Sequence, residues 1–358
     1  MKLRNKKIVL GFSGGVDSAI AGYLLKKKGY QVKAVFLKLW KNTKKGEKEQ
    51  EKTLKLAQKL AQKLEFQFQI VDAQNIFYKT VVQYYLKELK KGKTPNPCFV
   101  CNPHLKIDLL LKIKKQKKAD YIATGHYVRI TKNKKGEVYL WEGKDKLKDQ
   151  SYFLAGLSQE QLSQAIFPLG NFAKEEIKKM AKQLKLDKLI PKKESQELCF
   201  LEPKTEKNFL RKNLNIQPGN IINTQGEKIG KHQGLNFYTL GQRKGIGIGG
   251  NGPYYVVAKK YKTNELVVSL KKEYQLFFSK KMLVENINWI NKKPFLFKKV
   301  FVKTRYQQKK QLSKIIAWNK EKNIYEVEFL SSQKAITPGQ IAVFYDKKGL
   351  VLGGGNIV

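Results

Sequence analysis

Two groups of residues in this chain have types and spacings that can do chemistry: a glycine- and serine-rich stretch near the N-terminus and three cysteines. The first is Gly11-Phe12-Ser13-Gly14-Gly15-Val16-Asp17-Ser18, which ends a short apolar run and opens a helical pattern. Adjacent glycines let the backbone curl so that successive N–H groups and the helix N-terminus converge on an oxyanion, with the Ser13 and Ser18 hydroxyls as further donors. Phosphate suits that cradle. No Gly-Lys-Ser/Thr closes it, so it is not the usual P-loop, and Asp17 would repel phosphate unless Mg²⁺ bridged the two. The second group is Cys98 and Cys101, in Thr94-Pro95-Asn96-Pro97-Cys98-Phe99-Val100-Cys101-Asn102, with Cys199 about a hundred residues on, in Glu194-Ser195-Gln196-Glu197-Leu198-Cys199-Phe200. Prolines stiffen the loop just ahead of a helix, where the helix dipole lowers a thiol's pKa and raises its thiolate fraction. Three cysteines are too few for a disulfide framework, and a reducing compartment leaves sulfur or metal chemistry open. Gly245-Ile246-Gly247-Ile248-Gly249-Gly250 satisfies G-x-G-x-x-G, but it precedes Asn251-Gly252-Pro253 rather than a helix, so it reads as a glycine-rich β-loop.

The elements that must hold these groups alternate in the first part of the chain. Residues 7–12 form an apolar run, 16–28 a helical pattern stopping at Gly29, and 32–37 a second apolar run, which together make one βαβ unit. Leu54, Ala57, Leu60, Ala61 and Leu64 mark a second helix, Phe66, Phe68 and Ile70 a strand, and 75–90 a third helix ending near the proline-broken stretch 92–103. Leu105, Leu109 and Ile113 mark another helix, residues 120–124 another strand, and a further helix ends near Pro191. Such alternation predicts a parallel sheet. From about Asn213 short β-like pieces are separated by Gly, Pro and Asn, and 315–329 and 341–352 read as hairpins turning at 319–323 and 347–349. Boundaries fall near 205 and 278, giving an α/β domain over 1–205 and two small, mostly β modules over 206–278 and 279–358.

The 358 residues are 41% apolar and 11% aromatic, enough for a real core and against disorder. No apolar run approaches a membrane span, and Ile8-Val9-Leu10 is too short for a signal peptide, so a soluble cytosolic protein is expected. A net charge of +43 attracts a polyanion such as nucleic acid. Only five of the 72 basic residues are arginine, and a drift toward lysine codons accounts for part of the excess. His232, in Gly230-Lys231-His232-Gln233-Gly234, reads as a surface or turn residue, and Trp40, Trp141, Trp289 and Trp318 are scattered as core residues are, not as a base-stacking platform.

Ser13-Gly14-Gly15-Val16-Asp17-Ser18 resembles the PP-loop of ATP pyrophosphatases, which adenylate a carbonyl oxygen and release pyrophosphate. Further blocks follow in order: Val35-Phe36-Leu37-Lys38-Leu39-Trp40, the Pro-Asn-Pro loop through Asn102, Ala123-Thr124-Gly125-His126-Tyr127 and Lys148-Asp149-Gln150-Ser151-Tyr152-Phe153-Leu154. Then come 195–200, 234–245 and Thr337-Pro338-Gly339-Gln340. With these the chain resembles, over nearly its full length, the bacterial tRNA-specific 2-thiouridylases, the MnmA family. That resemblance implies a HUP-like, Rossmann-type first domain and an antiparallel β-barrel at the C-terminus that contacts tRNA. It implies ATP, with Mg²⁺, on Gly11 to Ser18, flanked by Leu37 and Gly125, adenylating the C2 oxygen of the wobble uridine. Cys199 would carry a persulfide supplied by a cysteine desulfurase or sulfur-relay protein. Cys101 would be the partner nucleophile, leaving a Cys101–Cys199 disulfide. Asn96, Pro97 and Cys98 would contact the target base, and His126, Lys148, Asp149, Gln150, Arg305, Tyr306 and Gln340 the tRNA.

Some relatives carry Asp where this chain has Cys98, and a thiol does not replace a carboxylate in acid-base work. Cys98, Cys101 and Cys199 also resemble the three-cysteine set of iron-sulfur-dependent tRNA thiolases, and Cys98-x-x-Cys101-x-x-His104 imitates half of a zinc site. Ser13 to Ser18 alone would equally suit a small-molecule PP-loop ligase, and the charge a non-catalytic RNA-binding module. Two dispersed thiols and a basic β region favour the tRNA enzyme, which needs area to grip its substrate. No motif fixes the oligomeric state.

Overall fold

The computed structural model describes residues 6–186, 198–201, 203–249, 252–292 and 296–358. Strand β1, Lys7–Gly11, has Ile8, Val9 and Leu10 fully buried, as an unbroken apolar run must be when both sheet faces are covered. Helix α1, Val16–Lys27, leaves it through the serine-glycine loop, and Gly29 turns the chain with φ 90°. There follow β2 (Gln31–Lys38), α2 (Lys44–Lys63) and β3 (Gln67–Asp72). Helix α2 starts ten residues before the apolar pattern does. Its first half is Lys- and Glu-rich and shows no stripe, and the start is set by Thr43, whose hydroxyl accepts from Gly46 N at 2.9 Å.

The predicted helix at 75–90 is α3 (Gln74–Phe77) and α4 (Gln83–Lys90) joined by a π-helical turn, Tyr78–Val82. Helix α5, Pro97–Cys101, runs through a second π turn, Asn102–Ile107, into α6, Asp108–Gln116. Pro103 gives a reason for that widening, since it has no N–H for an α-helical bond and its ring crowds the carbonyl four residues back. Next come β4 (Tyr121–Ala123), a hairpin of β5 (Val128–Lys132) and β6 (Val138–Glu142), α7 (Ser151–Leu154), α8 (Gln159–Ser163), β7 (Ala165–Ile166) and α9 (Lys174–Gln183). The parallel sheet has the order β3-β2-β1-β4-β7. Strand order reverses beside β1, so a crevice opens beyond the carboxyl ends of β1 and β4, the place where open α/β sheets bind ligands. The hairpin and two-residue β7 carry no apolar run long enough to have marked them.

Helix α10 (Pro203–Asn213) leads to a four-stranded sheet of β8 (Gly219–Ile222), β9 (Lys228–His232), β10 (Tyr254–Lys260) and β11 (Glu265–Leu270). Gly245 and Gly247 have φ of 74° and 80° in a stretch without helix, as the sequence indicates, while Gly250 and Asn251 lie outside the described residues. So do Glu194 to Glu197 and the helix end expected near Pro191. His232 is buried rather than at the surface: its ring meets Asn264 O at 3.1 Å and accepts from Gly234 N at 3.0 Å, pinning a turn.

The last six strands, β12 (Ser279–Trp289), β13 (Lys299–Lys303), β14 (Gln311–Asn319), β15 (Ile324–Gln333), β16 (Ile341–Tyr345) and β17 (Val351–Ile357), close an antiparallel barrel, with both predicted hairpins in place. Trp289 packs on Tyr325 and Phe344 in its core. Trp318 departs from the core expectation: it is exposed and stacks flat on Tyr325. The barrel is no loose appendage. Ile341, Val343 and Tyr345 share one buried cluster with Tyr152 and Leu154, and Tyr152 Oη donates to Ile341 O at 2.9 Å.

Candidate active site

The crevice predicted by topology is a cleft of about 1250 Å³. Gly11, Phe12, Ser13, Asp17 and Ser18 form one wall, with Leu37, Gly125, His126, Lys148, Gln150 and Cys199 around it. Gly14 holds a left-handed φ of 76°, and a Cβ there would sit 3.1 Å from Thr53 O. Gly125 lets the loop after β4 press on α1, because a Cβ would lie 3.0 Å from Ser18 N. The two serines are organised locally: Ser13 Oγ and Ser18 Oγ are 3.2 Å apart, Gly15 N donates to Ser13 Oγ at 3.4 Å, and Ser18 Oγ donates to Gly15 O at 3.0 Å.

Asp17 is not a bare charge. Lys174 Nζ, on the first turn of α9, donates to both its oxygens at 2.8 and 2.9 Å, and Tyr127 Oη donates to Oδ1 at 2.7 Å. The repulsion of phosphate expected from Asp17 is therefore offset by a side chain of the protein itself. A lysine at a helix N-terminus opposes the helix dipole, and nothing in the sequence linked it or Tyr127 to Asp17.

The thiols depart from the sequence argument. Cys98 and Cys101 do sit at the start of a helix, where Asn96 Oδ1 caps Cys98 N at 3.2 Å and Pro97 takes the first position. Yet burial pushes both thiols up, Cys101 to about 12, against the lowering influence of Lys106. Desolvation exceeds the dipole of a helix this short. Cys199 is exposed in the cleft. Its neighbour Phe200 is buried against Phe77, Tyr85 and Trp40, and Lys41 Nζ donates to Cys199 O. Cys101 and Phe200 share one apolar cluster, so the three cysteines occupy one neighbourhood. All three are free thiols, and among the described residues no three His, Cys, Asp or Glu side chains form a metal-holding group.

The residues carried over for RNA contact divide. His126, Lys148 and Gln150 line the cleft. His126 accepts or donates at 2.7 Å with Thr124 Oγ1, and burial, with Lys106 nearby, pushes it down to about 3, so it is neutral near pH 7. Asp149 points inward, accepting from Gly143 N, Ser151 N and Ser151 Oγ at 2.8–3.1 Å. Arg305 ties the barrel to the central module through Leu240 O at 2.9 Å and, within the barrel, donates to Ala335 O at 3.0 Å. Gln340 Nε2 donates to Thr94 O at 2.8 Å, fastening the barrel to the cysteine loop, and Tyr306 packs on Phe153 at 4.4 Å between ring centres.

Fold and site define an α/β protein of the HUP class, with an anion cradle at the end of its first strand and two β modules behind it. Family models agree: residues 6–203 match the tRNA methyl transferase HUP domain, 207–270 the tRNA methyl transferase PRC-barrel domain and 279–357 the aminomethyltransferase beta-barrel domain. The chain is 41% identical to tRNA-specific 2-thiouridylase MnmA 1 of Geobacillus kaustophilus, over 96% of this chain and 93% of that one. It is 41% identical to the tRNA-specific 2-thiouridylase MnmA of Shewanella oneidensis, over 98% and 96% of the two chains. With that of Staphylococcus epidermidis it shares 36% identity over 100% and 96%. The chain belongs to the MnmA family of tRNA-specific 2-thiouridylases.

Proposed function

We propose that the protein is an ATP-dependent tRNA-uridine 2-sulfurtransferase. The observation that carries this reading is the meeting, in one cleft, of a phosphate cradle and an exposed thiol, Cys199. Methyl transfer, which the family-model description names, calls for no such thiol opposite a phosphate loop.

ATP lies on Gly11 to Ser18, its adenosine against Leu37 and Gly125, and adenylates the C2 oxygen of the wobble uridine. That oxygen then leaves as part of AMP when the terminal sulfur of a Cys199 persulfide attacks C2. The Cys101 thiolate next attacks Cys199 Sγ. The S–S bond breaks with its electron pair left on the sulfur bonded to C2, N3 takes up a proton, and the resulting Cys101–Cys199 disulfide awaits a thiol reductant. Mg²⁺ fits as a companion of the nucleotide. Asp17 and Glu49 are carboxylates of the cleft, and with Asp17 held by Lys174 the ion would draw most of its ligands from phosphate and water, offsetting phosphate charge.

Asn96, Pro97 and Cys98 approach the target base, while His126, Lys148 and Gln150 reach the tRNA from the cleft wall. Asp149, Arg305 and Gln340 act by fixing backbone and domain positions, with Tyr306 beside them. Residues 1–205, 206–278 and 279–358 serve as catalytic, central and tRNA-contacting units. Among the described residues no helix is long and apolar enough to cross a membrane, in keeping with work in the cytoplasm alongside a cysteine desulfurase or sulfur-relay protein.

The test combines protein, Mg-ATP, a cysteine desulfurase with cysteine, and unmodified tRNA, followed by nucleoside mass analysis. Thiouridine is expected, lost in Cys101→Ser and Cys199→Ser and largely retained in Cys98→Ser. Consumption of ATP on another acceptor, with no thiouridine, overturns the reading.

A further inference from the structure

Lys106 stands out as a cation that the steps above do not use. It lies five residues after Cys101, on the π turn Asn102–Ile107. In an α-helix residues five apart differ by about 140° around the axis. The wider i→i+5 ring of a π turn brings them back toward one face, and such turns recur at functional sites. Lys106 lines the same cleft as Cys199, and Cys101 lies in the apolar cluster just behind it.

Its ammonium is partly buried and has no hydrogen-bond acceptor or carboxylate partner among the described residues. An uncompensated cation away from bulk water is expensive unless an anion arrives. The groups facing it are Cys98 and Cys101 from its own helix, Cys199 from the 198–201 segment and His126 from the loop after β4, with Lys41 also in the cleft wall. None is a permanent anion. Burial pushes the Lys106 ammonium down and the neighbouring thiols, as thiolates, push it up, with the upward influence prevailing. Conversely, Lys106 is the group that opposes burial at both Cys98 and Cys101.

We infer that Lys106 is a positioning residue for sulfur transfer, the cation beside Cys101 that lowers the cost of forming charge on that sulfur when it attacks. This rests on the thiolation reading for its purpose but not for its test. A buried thiol that must attack a disulfide-like sulfur passes through its charged form, and an ammonium on the adjoining turn makes that form less costly without a carboxylate at position 98.

Lys106→Met keeps the length of the side chain and removes its charge; Lys106→Arg keeps the charge. The first measurement is the rate of iodoacetamide alkylation of Cys101 and Cys199 at pH 8.5 in the absence of tRNA and ATP, resolved by peptide mass analysis. Below the thiol's midpoint that rate follows the thiolate fraction. Expected is a roughly tenfold fall for Cys101 in Lys106→Met, the effect of losing one nearby opposite charge, with Lys106→Arg within threefold of the parent. A Lys106→Met rate equal to the parent's overturns the inference. So does an equal fall in both variants, which would make the role one of shape. Unfolding curves confirm that each variant is folded, and Lys106→Arg stands as the test if Lys106→Met is not. The second measurement is tRNA-dependent pyrophosphate release against thiouridine formation. Lys106→Met is expected to retain release and lose thiouridine, and loss of both to the same extent overturns the assignment to sulfur transfer. If the parent itself makes no thiouridine, the functional reading fails while the alkylation result still decides the effect of Lys106 on Cys101.

Discussion

Replacing Lys174 by Met removes the cation that neutralises the phosphate cradle's only carboxylate, Asp17, and leaves it the Tyr127 hydroxyl alone. A phosphate held by the loop then faces an uncompensated like charge. At a separation on the order of 6 Å and an effective dielectric of about 20, two unit charges interact by ~3 kcal/mol. The Asp17 side chain is 34% exposed, so water screens a good part of this, and ~1.5 kcal/mol is the expected loss, roughly a tenfold weaker binding of ATP. Calorimetric titration with a non-hydrolysable ATP analogue, without Mg²⁺, reads this directly. In the double variant Lys174→Met with Asp17→Asn the repulsion is gone, and affinity should return to within about threefold of the parent. A double variant no better than Lys174→Met alone refutes the argument and makes Lys174 a ligand of the nucleotide itself. Parental affinity in Lys174→Met refutes it as well.

Phe200→Ala should lower stability by about 3–4 kcal/mol in denaturant unfolding, because the ring fills a cluster with Phe77, Tyr85 and Trp40; by freeing Cys199 it should depress thiouridine formation far more than pyrophosphate release. His126 is held down to about 3 from an ordinary 6.5 by burial and by Lys106. The unfolded chain thus takes up a proton there first, and stability falls as pH drops from about 6.5 toward 3. Urea unfolding of His126→Asn should show a shallower loss across that window, and a slope equal to the parent's contradicts this. Binding of tRNA should weaken linearly in log salt, as +43 suggests. Gln at exposed barrel lysines Lys309, Lys347 and Lys348 should flatten the slope by about 0.7–0.9 per lost phosphate contact, and an unchanged slope means those lysines are not contacts. Deleting the barrel would be a poor substitute, since it uncovers the cluster shared with Tyr152 and Leu154.

Much of the site was legible in sequence because its signals are local. A strand buried on both faces must be a continuous apolar run, an anion cradle at its end must be small and rich in donors, and the helix after it must begin at once; 7–18 satisfies all three. The βαβ alternation fixed the parallel sheet, and the Gly- and Asn-turned hairpins fixed the barrel's last strands, since both rest on periodicity and turn chemistry of neighbouring residues. What the sequence left open depended on residues brought together across the fold. Lys174 reaches Asp17 over 157 positions, and no pattern in either segment encodes that pairing. By resemblance Asp149 is expected to contact tRNA, but in the fold three donors enclose it. Cys101 reads as an activated thiol until packing against Phe77, Leu105 and Phe200 removes the water that would stabilise its charge. Local rules determined where the chain turns, curls and alternates. Only the tertiary structure decided which charges are compensated and which thiol meets solvent, because burial and pairing are properties of neighbours in space.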